Sequence, residues 1–303
     1  MIVPKHLQIE TINGICTAKC SMCTIKKWSR KRLIMSDETF EKILKKFHPY
    51  KEKIDFLSLF FCGEPLLDKT ICNKIKIAKE LEFSGIGFST NATELKKEIS
   101  ENIIKAGLDT IIFSIDGIDK QTHENIRVGA NFDCVVTNVK NFIKIRNEIN
   151  GNTRIIIRFI RQESNKEQWP TFKKNWALLL NKDIGDDILK FDVHNWGGEL
   201  EEYDKKDSNK KLFEKELICH DIFEKMVIYT NGNVGLCCVD DNGFYDIGNV
   251  IDNDPIEIYN SQIFKHHRNL MKEGKISELE HCRNCTIPRS KSVPSRTLFQ
   301  RGR

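Results

Sequence analysis

No run of apolar residues in this chain approaches the roughly 18 to 20 that a bilayer-spanning helix needs, so no membrane span is expected. The segment from Met1 to His6 has neither the apolar stretch nor the small-residue cleavage site of a secretory signal, and the expected location is the cytoplasm. An excess of charge of one sign is missing too. Lys and Arg number 48 against 43 Asp and Glu, interspersed over the whole length, which describes a solvated surface rather than a nucleic-acid footprint. There is no repeat of fixed period and no low-complexity tract. What these absences leave is a globular chain of 303 residues, 40% hydrophobic, with material for one large core or for one core and a small second domain.

Cysteine is plentiful. Eleven cysteines in a reducing compartment point to metal rather than to disulfides. Cys62, Cys72 and Cys134 are scattered and read as small buried apolar residues. The others form two sets. In the first, Cys16-Thr17-Ala18-Lys19-Cys20-Ser21-Met22-Cys23 spaces three thiols as CxxxCxxC. Three thiolates from one loop can hold three irons of a four-iron four-sulfur cluster and leave the fourth iron open. The second set is Cys219, Cys237, Cys238, Cys282 and Cys285. Four thiolates from two well-separated segments could close a tetrahedral zinc site or a fully ligated iron-sulfur cluster, and spacing alone does not choose.

Between the sets, strand-like runs rich in Ile, Phe and Val are expected over residues 7–12, 54–61, 86–90, 110–115, 154–160 and 188–194, with helical segments between them. Ser36 should cap the first helix. Six strands alternating with helices call for a parallel sheet with right-handed crossovers, and polar and glycine residues gather where the strands end. The fold class expected is α/β: a partial (β/α)6 TIM-like barrel, followed by a small cysteine-rich unit with a hairpin turning at Asn231-Gly232-Asn233 and a helix over 262–273. The division expected is 1–198 for the barrel, 199–215 for a charged connection and 216–303 for the C-terminal unit.

With its CxxxCxxC, the chain resembles the radical S-adenosylmethionine (SAM) superfamily. The resemblance implies that the open iron chelates the amino and carboxylate groups of SAM. It also implies a reductase, flavodoxin or ferredoxin that supplies one electron, and a 5′-deoxyadenosyl radical that takes hydrogen from a substrate. Gly63-Glu64-Pro65 looks like the family's GGEP motif, which bonds the SAM amino group, with Cys62 in place of the first glycine. Met22 stands where an aromatic residue usually packs on adenine. Ser89 and Asn91 resemble the ribose-contacting strand end, with Ala92 where glycine is usual. Ser114-Ile115-Asp116-Gly117 and His123-Glu124-Asn125-Ile126-Arg127 are similar to the SxDG and HExxR patterns of one branch. By that resemblance Ser114 and Arg127 hold the SAM carboxylate, while Asp116 either reaches the ribose or caps the turn.

Cys219, Gly232 and Cys237 in Cx12Gx4C, followed by Cys282-Arg283-Asn284-Cys285, resemble the SPASM family in its shortened Twitch form, since Lys291 stands where a further cysteine would fall. The ligands implied are Cys219, Cys237, Cys282 and Cys285, giving two four-iron clusters in all. Cys238 could replace Cys237, pack as a small hydrophobe, or donate a hydrogen atom. A closed second cluster can accept an electron, so the activity expected is oxidation of a small sugar or aminocyclitol-type alcohol. Asp192, His194, Glu10 and Arg158 are the candidate residues at the substrate, and the oxidation needs a base for the hydroxyl proton. The alternative is epimerisation or crosslinking of a ribosomal peptide, placed second because only six residues precede the first strand where many such relatives carry a leader-binding domain. A deoxygenating or dehydrating sugar enzyme is a third course. A zinc-ribbon module holding RNA through Arg283, Arg289, Lys291, Arg296 and Arg301 is the reading from another class.

Overall fold

The computed structural model describes residues 1–204 and 218–288. Most of the charged connection expected over 199–215 therefore lies outside the described residues, as do Arg289, Lys291, Arg296 and Arg301. Six strands, β1 (His6–Ile9), β2 (Phe56–Ser58), β3 (Ile86–Thr90), β4 (Thr110–Ser114), β5 (Arg154–Arg161) and β6 (Asp187–Asp192), lie side by side in that order, all parallel. The helices α1 (Asp37–Phe47), α2 (Ile71–Glu80), α3 (Lys97–Lys105), α4 (Lys120–Ile126), α5 (Phe132–Glu148) and α6 (Trp169–Ala177) make the crossovers. Ser36 caps α1 as expected, its Oγ accepting the Thr39 N–H at 3.1 Å.

Strand edges differ from expectation. β1 stops at Ile9, and Ile12–Asn13 pairs instead with Leu33–Ile34 as a short antiparallel ribbon. The chain bends at Glu10 because its buried carboxylate takes both Arg30 nitrogens and the N–H groups of Cys62 and Thr230. A second difference concerns the hairpin. β7 (Lys225–Ile228) and β8 (Val234–Gly235) do form it, but β7 also pairs parallel with β1, His6 opposite Lys225. The sheet thus has eight strands in the order β8-β7-β1-β2-β3-β4-β5-β6, and the C-terminal hairpin extends the barrel sheet. α7 (Asp221–Glu224) precedes β7, and α8 (Pro255–Tyr259) and α9 (Gln262–Lys272) follow the hairpin.

Side chains alternate along each strand, and this period sets where the site lies. Ile111, Phe113, Ile155 and Ile157 face the helices and belong to the main core. Their neighbours Ile112, Ile156 and Phe56 form a separate apolar floor inside the barrel, with Leu189 and Phe191 against it. Two residues further along the same faces come Ser114, Arg158 and Ser58. The interior changes from apolar to polar toward the strand ends.

Candidate active site

Above that floor opens a cavity of about 650 Å³, and both cysteine sets reach it. Cys16, Cys20 and Cys23 line it from the loop after β1; Cys219 and Cys238 line it from the C-terminal unit. Gly63, five residues after β2, has no room for a side chain, since a Cβ would stand 2.6 Å from the Ile12 carbonyl oxygen. Glu64 lines the cavity while its carboxylate accepts from Thr90 Oγ1 at 2.6 Å, Asn91 N at 2.8 Å and Leu66 N at 3.2 Å. Pro65 opens the 3-10 turn Pro65–Leu67 and stays outside the cavity lining. Asn91 donates to Thr17 Oγ1 at 3.0 Å and toward Cys16 Sγ at 3.6 Å. Ala92, where the resemblance had glycine, adopts φ +61°, the left-handed backbone that glycine would favour.

Arg127 and Asp116 act as a unit. The guanidinium Nε meets Asp116 Oδ2 at 2.7 Å, and Nη1 points at Cys20 Sγ at 3.6 Å. Asp116 is fully buried, accepts the Ile160 N–H at 2.6 Å and is not part of the cavity wall. Its carboxylate is engaged by the Arg127 guanidinium and the Ile160 N–H. Ser114 lies between Ser89 (Oγ to Oγ 3.2 Å) and Arg158, whose Nη2 donates to Ser114 Oγ at 2.7 Å. Burial and the charge of Arg127 bring the Arg158 guanidinium down to about 10. Met22 lines the cavity beside Trp196, whose Nε1 donates to the Met22 carbonyl at 2.8 Å.

The candidates at the substrate fare unequally. Arg158, Asp192, His194 and Cys238 all line the cavity. Burial and the nearby Arg158 hold His194 down at about 4, so its ring is neutral near pH 7. Because its Nδ1 accepts the Trp196 N–H at 3.2 Å, the ring proton sits on Nε2, which makes that nitrogen a donor. Asp192 carries an ion pair to Arg161 at 2.6 Å. Glu10 is not in the wall: at 0% exposure it is consumed by Arg30, Cys62 and Thr230, as a clamp beneath the cluster loop. Cavity residues that the sequence did not flag include His6 on β1 and Lys225 on β7, and Asp221, which accepts from Lys225 at 2.8 Å. Asp221 and Lys225 stand four residues apart, but their meeting with His6 comes from the parallel pairing of β7 with β1, which nothing local in the sequence signals.

The thiols suit iron. Burial, reinforced by Glu64 and Cys20, pushes Cys16 up to about 11, and burial with Cys20 and Cys16 nearby pushes Cys23 up to about 12. Such thiols lose protons to a bound cation, and N–H donors already face Cys16 and Cys20. In the C-terminal set Cys219 feels Cys285 and Cys282, Cys237 feels Cys238 and Cys282, and burial pushes Cys282 up to about 12. The thiols are neighbours rather than a closed shell: among the described residues no three Cys, His, Asp or Glu side chains stand in metal-holding geometry. Of the scattered cysteines, Cys62 is buried as expected, Cys72 is half-buried and Cys134 is exposed.

A barrel of this topology with three thiols at the end of β1 defines an enzyme of radical chemistry. The model of the Radical SAM superfamily matches residues 11–167, more than half of the chain, and the chain belongs to that superfamily. An iron-sulfur cluster-binding domain, SPASM, matches residues 219–286. The cofactors are S-adenosylmethionine and four-iron clusters. Among curated proteins the chain is similar to a probable GTP 3′,8-cyclase of Saccharolobus solfataricus, 25% identical over 217 residues, 68% of this chain and 67% of that one. It is also similar to a tungsten-containing aldehyde ferredoxin oxidoreductase cofactor-modifying protein of Pyrococcus furiosus, 26% identical over 180 residues, 58% of this chain and 48% of that one. Among solved structures it resembles BtrN in complex with AdoMet and 2-DOIA, with a TM-score of 0.63, 17% identity and 94% of each chain covered. SuiB of Streptococcus suis bound to precursor peptide SuiA gives a TM-score of 0.64 at 17% identity, covering 88% of this chain and 66% of that one. The two structural likenesses carry the fold. No helix among the described residues is long and apolar enough to cross a membrane.

Proposed function

We propose that this radical SAM enzyme oxidises a secondary alcohol of a small sugar or aminocyclitol to a ketone. The observation that carries the proposal is the single cavity of about 650 Å³ lined by both cysteine sets, a size suited to a cofactor and a small molecule. When bound, SAM and the clusters supply a radical that takes one hydrogen atom and an acceptor for one electron. The chain's own residues do the rest. Cys16, Cys20 and Cys23 hold the first cluster, and Cys219, Cys237, Cys282 and Cys285 the second. Glu64 and Arg127 grip the amino and carboxylate ends of SAM, and Ser89, Asn91, Ser114 and Met22 line its bed. Arg158 and the Nε2–H of His194 donate to the substrate oxygen that becomes the carbonyl, and Asp192 takes its proton. The electron enters from an external reductase, flavodoxin or ferredoxin. The likeness to BtrN, solved with 2-DOIA, supports a substrate of this class.

A second reading rests on Cys238, whose thiol faces the cavity and donates to Asp221. A thiol there can return a hydrogen atom to a substrate radical, leaving a thiyl radical that one electron from the external carrier and one solvent proton restore to the thiol, which would make the outcome epimerisation, of a sugar or of a peptide like the one bound to SuiB. One experiment separates the two. Candidate aminocyclitols, sugars and precursor peptides are screened for stimulation of 5′-deoxyadenosine release in deuterated water. Oxidation gives a product lacking two hydrogens, with no solvent deuterium, and the Cys238→Ala enzyme still makes it. Product with one deuterium and unchanged oxidation level, lost in Cys238→Ala, would overturn the oxidation.

A further inference from the structure

Between Glu10 and Asp37 the chain runs for 26 residues without one carboxylate, although 43 of its 303 residues are Asp or Glu, about one in seven. That segment carries the three thiols of the first cluster and six basic residues: Lys19, Lys26, Lys27, Arg30, Lys31 and Arg32. Two of the six are engaged by partners within the chain. Arg30 is bound to Glu10 and stacks over the Tyr229 ring, and Lys27 Nζ bonds the Glu199 carbonyl. The other four are exposed, and none of them is in an ion pair among the described residues.

Their backbone is held beside the cluster loop. Lys19 lies inside CxxxCxxC, and its N–H is bonded to the Val128 carbonyl at 2.7 Å. Lys26 sits in the 3-10 turn Thr24–Lys27, directly after Cys23. The Lys31 carbonyl accepts from Asn13 at 2.7 Å, and the Arg32 side chain lies over Gly14, two residues before Cys16. Exposed apolar residues accompany them: Leu33 at 36%, Ile34 at 43% and Val128 at 50% exposure. Basic groups around apolar side chains make an interface for an acidic protein. The three thiols beneath are half-buried, so a carrier docked here stands close to the cluster.

From this we infer that the surface formed by Lys19, Lys26, Lys31 and Arg32 with Leu33 and Ile34 is the docking face of an acidic one-electron carrier protein that reduces the first cluster. The inference rests on membership of the radical SAM superfamily, whose cluster needs an electron from outside. It does not depend on which substrate is oxidised, because its readout is cluster reduction.

The test uses the reconstituted holoenzyme and follows cluster bleaching in an anaerobic stopped-flow instrument. Two reductants are compared: a reduced flavodoxin, which is acidic, and photoreduced 5-deazariboflavin, which is small and uncharged. The variant is Lys26→Glu/Lys31→Glu/Arg32→Glu. The flavodoxin rate should fall by about tenfold or more, with the deazariboflavin rate and the iron content unchanged. The wild-type flavodoxin rate should itself fall steeply between roughly 20 mM and 200 mM salt. A flavodoxin rate that ignores salt in the wild type overturns the inference whether or not the variant folds, and so does a variant that slows both reductants equally.

Discussion

Asp116 and Glu10 are both fully buried carboxylates paired with arginine, yet they serve different ends. Asp116 pairs with Arg127 Nε, while Nη1 faces Cys20 and the residue lines the cavity. Removing one partner of a buried ion pair such as this costs about 3 kcal/mol or more. Asp116→Asn should therefore weaken SAM binding by about tenfold or more, read by isothermal titration on the reconstituted protein, while iron content stays at the wild-type level. Glu10 touches no cavity atom, so its loss should appear as instability. Glu10→Gln leaves Arg30 without its counter-charge, which costs about 3 kcal/mol and lowers Tm by roughly 5 to 10 °C in anaerobic calorimetry. Ala92 makes a third case. Its left-handed backbone costs about 1 kcal/mol, but its methyl group is fully buried and is worth about 0.8 kcal/mol. Ala92→Gly should hence leave Tm within a degree or two of wild type, which explains how alanine persists at a position shaped for glycine.

At the scale of elements, three segments meet just outside the cluster loop. The 3-10 turn Thr24–Lys27, the stretch after β6 and the stretch after β8 are joined through Asp241, which accepts from Thr24 and from Trp28 Nε1 at 3.0 Å and is bonded to Glu199. Burial and the adjacent Asp241 push Glu199 up to about 7 from an ordinary 4.5; Asp240 adds to this, and Lys27 opposes it. Asp241 is raised as well, by burial. The folded protein then binds more protons than the unfolded chain between about pH 4.5 and 7, so stability declines as pH rises through that window and the contribution is lost above it. Glu199→Gln keeps a hydrogen-bonding group without the charge. It should flatten Tm against pH across the window and raise Tm above pH 7 relative to wild type.

The elements themselves were largely readable. Hydrophobic runs located β3 to within a residue, Ser36 announced α1, and the Asn231-Gly232-Asn233 turn announced the hairpin, because each of these depends on neighbours in sequence. The shortening of β1 was not readable, since it depends on Glu10 finding Arg30, Cys62 and Thr230, one of them 220 residues away. The donor role of His194 was hidden for a related reason: its tautomer is set by a backbone turn at Trp196 rather than by residue type.

Over the whole molecule, the decisive contact is the parallel pairing of β7 with β1. It turns what reads as an appended cysteine-rich unit into a continuation of the barrel sheet, and it brings Cys219 and Cys238 to the same cavity as Cys16, Cys20 and Cys23. An electron acceptor is useful to a substrate radical only at short range, and a shared cavity meets that need. The oxidation proposed above therefore stands on there being two clusters, one open and one closed. Reconstituted wild type should hold about eight irons per chain, with an electron paramagnetic resonance signal that SAM perturbs. A Cys16→Ala/Cys20→Ala/Cys23→Ala variant should hold about four, with a signal indifferent to SAM, and a Cys282→Ala/Cys285→Ala variant should keep the SAM-sensitive signal. About four irons in wild type and none in the first variant would mean that the C-terminal thiols hold no iron. The substrate radical would then have no acceptor within the protein, and return of a hydrogen atom from Cys238 would become the better account of the same cavity.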